Sequence, residues 1–109
     1  MFKRQNRLPR GIGFYNSSFF SAPNFILKVK KNGLIVNRFG IIVSKKIDKR
    51  AVVRNKIKRM LREILVGLNS EMTPGHDILF IVRIGIINKN NSQVNFAIRE
   101  LLEKAGCIN

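Results

Sequence analysis

Residues 44–63 read SKKIDKRAVVRNKIKRMLRE, and any fold of this chain must meet two demands made by that stretch. The first is apolar. Val53, Ile57, Met60, Leu61, Ile64, Leu65 and Leu68 recur at helical spacing, a stripe wide enough to lay one helix against a core. The spacing predicts a helix over residues 50–68, with Asp48 the nearest N-cap candidate. The second demand is electrostatic. Nine cations (Lys45, Lys46, Lys49, Arg50, Arg54, Lys56, Lys58, Arg59, Arg62) stand against two acids, Asp48 and Glu63. Arg54, Lys58 and Arg62 are spaced four apart, so like charges form one column, and each such neighbour costs a few tenths of a kcal/mol. Lys49 and Arg50 fall near the helix start, where the macrodipole disfavours cations. The helix is locally unfavourable unless a polyanion comes to meet it.

The flanks of this helix read as strands. Residues 24–30 alternate, with Phe25, Leu27 and Val29 on one face and Ile26, Lys28 and Lys30 on the other. Asn32-Gly33 marks a turn into a second strand over residues 38–44, where Phe39, Ile41 and Val43 share a face. Gly40 in its middle marks a bulge or a close backbone approach. After Thr73-Pro74-Gly75, residues 77–83 are apolar without alternation, as in a central strand covered on both faces. Ser92 is a cap candidate for a last helix whose stripe is Val94, Ala97, Ile98, Leu101, Leu102 and Ala105, with Gly106 as its C′ residue. Residues 11–20 carry two glycines but also Phe14, Tyr15, Phe19 and Phe20, and are assigned a short helix broken at Ala22-Pro23. The expected architecture is α/β, an α+β two-layer sandwich of a small mixed sheet and three helices in the order αββαβα. The ordinary twist rule makes its βαβ crossover right-handed. The chain is expected to form one domain over residues 1–109, its basic first ten residues flexible.

Charge then narrows the function. The net charge is +15 and the pI about 11.3. Residues 1–62 hold 17 Lys and Arg with Asp48 as the only acid, whereas residues 63–109 hold 4 basic and 5 acidic groups. One half is built for a polyanion and the other is neutral. Cys107 is the only cysteine, so neither an internal disulfide nor a cysteine metal site is available, and a cytoplasmic setting is expected. The longest purely apolar run, residues 78–82, is far short of a membrane span, and the basic start is followed by no apolar signal segment.

Catalytic groups are scarce. His76 is the only histidine and reads as a loop residue, and the six acids show neither paired-carboxylate nor metal-ligand spacing. No residue is assigned to catalysis or to metal. The basic column is the candidate site: Arg54, Lys58 and Arg62 on one side of the helix, Asn55 and Arg59 on the adjacent side. Guanidinium forks engage phosphates bidentately, lysine supplies a point charge, and an asparagine amide can bond a base, ribose or phosphate. Phe14, Phe19 and Phe20 either stack on single-stranded bases or close one edge of the core. Lys28 and Lys30, with Lys45 and Lys46, floor or rim a groove for a nucleic-acid backbone.

Residues 49–63, KRAVVRNKIKRMLRE, preceded by SKK, resemble the signature of the bacterial ribonuclease P protein component, roughly K-x-A-V-x-R-N-x-I-K-R-x-x-R-E. Ala51, Val52, Arg54, Asn55, Ile57, Lys58, Arg59, Arg62 and Glu63 meet it. The resemblance extends over Asn6-Arg7-Leu8, Phe14, Arg38-Phe39-Gly40-Ile41 and Pro74-Gly75-His76-Asp77-Ile78. It implies a protein subunit that pairs, one per RNA, with a large catalytic RNA and helps remove the 5′ leader of precursor tRNA, with Mg2+ bound mainly by that RNA. It also implies a fold like the second domain of ribosomal protein S5, with a left-handed crossover that overrides the twist rule. In such a protein Lys45, Lys46, Arg50, Arg54, Asn55, Lys56, Lys58, Arg59 and Arg62 face the catalytic RNA. The single-stranded leader lies in a cleft between the first helix and the sheet, against Phe14, Phe19, Phe20, Lys28 and Lys30. Three positions depart from the pattern: Lys56 replaces an arginine, Ser18 stands where a second aromatic is usual, and Lys28 where an aromatic is frequent. The competing reading is a structural RNA-binding protein of ribosomal type without a part in cleavage.

Overall fold

The computed structural model describes residues 2–108. Four strands and two helices follow in the order β1 (Ser18–Ser21), β2 (Phe25–Lys31), β3 (Arg38–Ile42), α1 (Ala51–Leu68), β4 (His76–Val82) and α2 (Asn91–Lys104). They form one mixed sheet, β1-β2-β4-β3, antiparallel except for the β3–β4 pair. The parallel pair is joined through α1, so the helix that carries most of the basic stretch is the crossover of a βαβ unit, as the flanking strand patterns require.

Alternation decides which face is covered. Phe25, Leu27 and Val29 of β2 lie opposite Val82, Phe80 and Ile78 of β4, and Phe39 and Ile41 of β3 stand on the same side. Leu61, Ile64, Leu65 and Leu68 of α1 and Val94, Ile98, Leu101 and Leu102 of α2 close over that face in one core. Phe25 and Phe80 meet edge to face, centroids 5.7 Å apart. Each such side chain contributes about 1.5–3 kcal/mol by leaving water. The opposite face explains why β4 reads as apolar throughout. Leu79 and Ile81 are half-buried there. A Cβ at Gly40 would lie 3.0 Å from Leu8 Cδ2 and 3.1 Å from Leu79 Cδ1, so the glycine serves a close approach while the β3–β4 register stays unbroken.

Two local expectations are corrected. Residues 11–20 form no helix, which leaves two α-helices in place of three and the order βββαβα. Gly11 and Asn16 adopt φ of +74° and +59°, which interrupt any helix, and Ser18-Phe19-Phe20-Ser21 then pairs with β2 as an edge strand. The helix caps also shift. Asp48 accepts the N–H of Arg50 at 2.8 Å and closes the turn before α1, whose N-cap is Arg50 with no side-chain bond. Asn90, not Ser92, caps α2 in a reciprocal box with Gln93, both bonds 2.9 Å. Gly106 is the C′ residue as expected, at φ +76°. Its N–H reaches Glu103 O and that of Cys107 reaches Leu102 O, the paired bonds of a Schellman ending.

The basic N-terminal segment makes contacts with β3 and the residues before it. Phe2 stacks on Phe39 at 5.1 Å, buried Asn6 donates to Asn37 O at 2.7 Å, and the N–H of Leu8 bonds Phe39 O at 3.0 Å. An uncovered β3 would present a free sheet edge, and this segment occupies it.

Candidate nucleic-acid interface

The outward side of α1 carries the charge that the sequence places there. Asn55, Lys56, Arg59 and Arg62 are exposed, and Arg54 and Lys58 are half-buried. Lys45 and Lys46 are exposed in the loop that enters the helix. Two members of the set have intramolecular work. The guanidinium of Arg50 grips Asp48 at 3.1 and 3.0 Å. Those hydrogen bonds hold the Asp48 carboxyl down to about 2. Arg54 donates from Nη1 to the carbonyls of Asp48 at 3.0 Å and Lys49 at 2.8 Å, tying the Lys45–Lys49 loop to the first turn of α1. Among the described residues, Lys45, Lys46, Lys56, Lys58, Arg59 and Arg62 make no ion pair; the pairs formed are Arg38–Asp77, Arg50–Asp48 and Arg99–Glu71.

A second basic surface lies on the face of the sheet turned away from the helices. Phe19 stands opposite Lys28 there and is 59% exposed. Lys30 sits over the Phe14 ring, 5.3 Å from its centroid, and its ammonium donates to Gly13 O. Phe14, Phe19, Lys28 and Lys30 are therefore brought together on one surface. Phe20 is not. It lies opposite Leu27 on the helix side and packs against the core. An irregular segment takes the place of the expected first helix as the wall of this surface.

Asp77 is a residue that the sequence reading passed over. It lies directly opposite Lys30 and Arg38 in the neighbouring strands and is fully buried. Burial alone would raise its pKa; hydrogen bonds from Arg38 (2.7 and 2.8 Å) and Asn32 (3.0 Å), with the charges of Arg38 and Lys30, outweigh it and lower the pKa. The carboxylate thus fixes the Arg38 guanidinium of β3 and the Asn32 amide beyond the end of β2. An acid inside an otherwise apolar central strand is the signal that marks it. Arg7 and Arg10 are also unforeseen in their setting. A cavity of about 500 Å3, floored by Gly40 and Ile41 beside Leu8, is lined by Arg7, Arg10 and Arg62, which carries basic surface from α1 round the β3 edge. His76 opens β4, its N–H bonded to Asn37 Oδ1 at 2.9 Å and its Nδ1 3.1 Å from Thr73 O, a structural place at a loop end. Among the described residues no three His, Cys, Asp or Glu side chains gather as metal ligands.

Residues 2–106 match the family model described as Ribonuclease P. The chain belongs to the ribonuclease P protein family. A ribonuclease P protein component of Clostridium botulinum (strain 657 / Type Ba4) is 40% identical over 91 residues, 83% of this chain and 81% of that protein. One from Clostridium perfringens (strain 13 / Type A) is 41% identical over 78 residues, 72% of this chain and 62% of that one. Among solved structures, the Staphylococcus aureus RNase P protein superposes with a TM-score of 0.85 at 28% identity, covering 95% of this chain and 98% of that chain. The Thermotoga maritima RNase P protein gives 0.77 at 28% identity over 84% and 86%. The chain is accordingly a protein subunit of ribonuclease P, a ribonucleoprotein endonuclease of tRNA processing. The mixed α/β fold, with a four-stranded sheet and two helices, is that of the RNase P proteins.

Proposed function

We propose that this subunit acts through two joined RNA surfaces, the outward side of α1 for the catalytic RNA and the open sheet face for the 5′ leader of precursor tRNA. The observation that carries the reading is the set of α1 cations, Lys56, Lys58, Arg59 and Arg62, left without acidic partners among the described residues. Their mutual repulsion is relieved when phosphates replace counterions, and each contact releases a condensed cation into solution. Arg59 and Arg62 offer bidentate forks and Lys56 and Lys58 point charges, while Asn55 has an amide for a ribose, base or phosphate. On the open face, Phe19 and Phe14 provide ring surfaces for unpaired leader bases and Lys28 and Lys30 draw in its backbone.

The side chains bind and orient; we assign no proton transfer to them. The chemistry of cleavage would come from Mg2+ held mainly by the RNA. Protein binding lowers repulsion between the leader and the catalytic RNA, which favours both substrate and metal. One protein per RNA and a cytoplasmic setting complete the proposal; the single cysteine, Cys107, is free and buried, as suits a reducing compartment. The test is cleavage of precursor tRNA by the cognate catalytic RNA at low magnesium. Adding the protein is expected to raise the rate and the affinity for leader-bearing substrate. Unchanged cleavage, with RNA binding retained, would mark a structural RNA-binding protein instead.

A further inference from the structure

Helical spacing predicts that the whole apolar stripe of α1 meets the core, yet the structure divides it. Leu61, Ile64, Leu65 and Leu68 are buried, whereas Ile57 and Met60 pack against the core with part of their surface left open and Val53 is half-exposed. These three line a cavity of about 350 Å3 together with Ile47, Ile86 and Ile87. Arg50, Lys56 and Lys89 stand round it together with Asn88. The single acid in the lining, Asp48, is already held by the Arg50 guanidinium at 3.1 and 3.0 Å.

An aliphatic hollow inside a cationic rim asks for a ligand that is flat and apolar at its centre and anionic at its margins. We infer that this pocket receives one unstacked nucleobase of the catalytic RNA, with its flanking phosphates on Lys56 and Lys89. The inference deepens the RNA-binding reading of α1 and rests on it. The Met60 thioether is flexible and polarisable and makes favourable contacts with aromatic rings. The Asn88 amide presents both a donor and an acceptor to a base edge. Bases in loops and bulges are the ones that can be splayed out for such capture, which directs the site to a single-stranded element and away from a duplex. A hydrophobic peptide would fill the volume but would leave the cationic rim without counter-charge.

Ile87 and Ile84 lie on the same connection, 45% and 64% exposed, and only Ile87 lines the cavity. They make a matched pair for measuring affinity of the full chain for its cognate catalytic RNA. Ile87→Ala is expected to weaken binding roughly fivefold to tenfold, a partial loss of one base stack. The slope of log affinity against log salt should not change. Ile84→Ala should stay within about twofold, and Lys89→Ala should make the slope shallower by about 0.7–0.9, one phosphate. Ile87→Trp fills the hollow without removing apolar surface, and should weaken binding at least as much if the alanine variant unfolds. A benzophenone side chain at position 87 should crosslink to one nucleotide in the assembled complex. If Ile87→Ala and Ile87→Trp bind as tightly as the unchanged chain, or Ile84→Ala loses as much, the pocket holds no base. If the unchanged chain fails to bind the RNA, the reading of α1 itself falls and the pocket with it.

Discussion

Arg54 shows why residue type and helical position do not suffice to assign a role. It stands in the column with Lys58 and Arg62, but its Nη1 is spent on the carbonyls of Asp48 and Lys49. Replacing it should therefore do two things: loosen the Lys45–Lys49 loop and weaken RNA binding. Arg59 touches nothing comparable, so Arg59→Ala should only remove a phosphate contact. Assays of holoenzyme cleavage should find Arg54→Ala and Asn55→Ala far more damaging than Lys104→Ala, which changes a charge at the far end of α2. Amide exchange in the free protein should then separate Arg54→Ala, with faster exchange over residues 45–50, from Arg59→Ala, with none. Equal losses at positions 54, 55 and 104 would reduce the column to a solvated face. Asp77 gives the pH prediction. Its folded pKa is depressed, so its contribution to stability is present above the ordinary carboxylate value near 3.9 and is lost as pH falls below it. Thermal unfolding should show a midpoint that declines from about pH 4 downward, and Asp77→Asn should flatten that decline. The same substitution should cost about 2–3 kcal/mol at neutral pH, less than a fully buried pair because the Arg38 side chain keeps 20% of its surface exposed.

At the scale of elements, the sequence disclosed what periodicity governs and hid what tertiary contact governs. The α1 stripe and the alternation of β2 each have one interpretation, because period 3.6 and period 2 bury different residues. Residues 11–21 have no such period. Four aromatics beside two glycines suit a helix or an edge strand equally, and pairing with β2 decides between them after the fact. The same ambiguity put Phe20 with Phe14 and Phe19; one residue of pleat turns it to the opposite face. The cation set of α1 was legible since nothing else in the chain neutralises it, whereas the Arg54 clamp depends on how a loop folds back. Helix caps test the element directly. Arg50 is a poor N-cap placed at the positive end of the dipole. Arg50→Ser should stabilise the fold by about 0.5–1 kcal/mol in chemical denaturation while weakening binding to the catalytic RNA. A variant that gains both stability and affinity would show that Arg50 serves neither the RNA nor the loop.

The whole molecule is an asymmetric ion, with +16 in residues 1–62 and −1 in residues 63–109. The sheet separates two uses of that charge. On one side α1 turns its cations outward, and on the other Lys28 and Lys30 share a surface with Phe14 and Phe19, while Arg7 and Arg10 line a cavity with Arg62 at the β3 edge. Each surface should report differently as salt rises. On the proposed reading, binding of the catalytic RNA depends on α1 phosphate contacts, and a complex with several of them should lose affinity steeply, with a log–log slope of about −0.7 to −0.9 per contact. Leader binding on the proposed open face would draw part of its free energy from ring stacking, roughly 1–3 kcal/mol per base, which salt does not screen. A short single-stranded leader oligonucleotide should therefore show a shallower slope than the catalytic RNA against the same protein. Phe19→Ala should lower its affinity without changing that slope, and Lys28→Ala should lower both. Parallel slopes for the two RNAs, with no loss at Phe19→Ala, would mean that the open face holds the leader by charge alone.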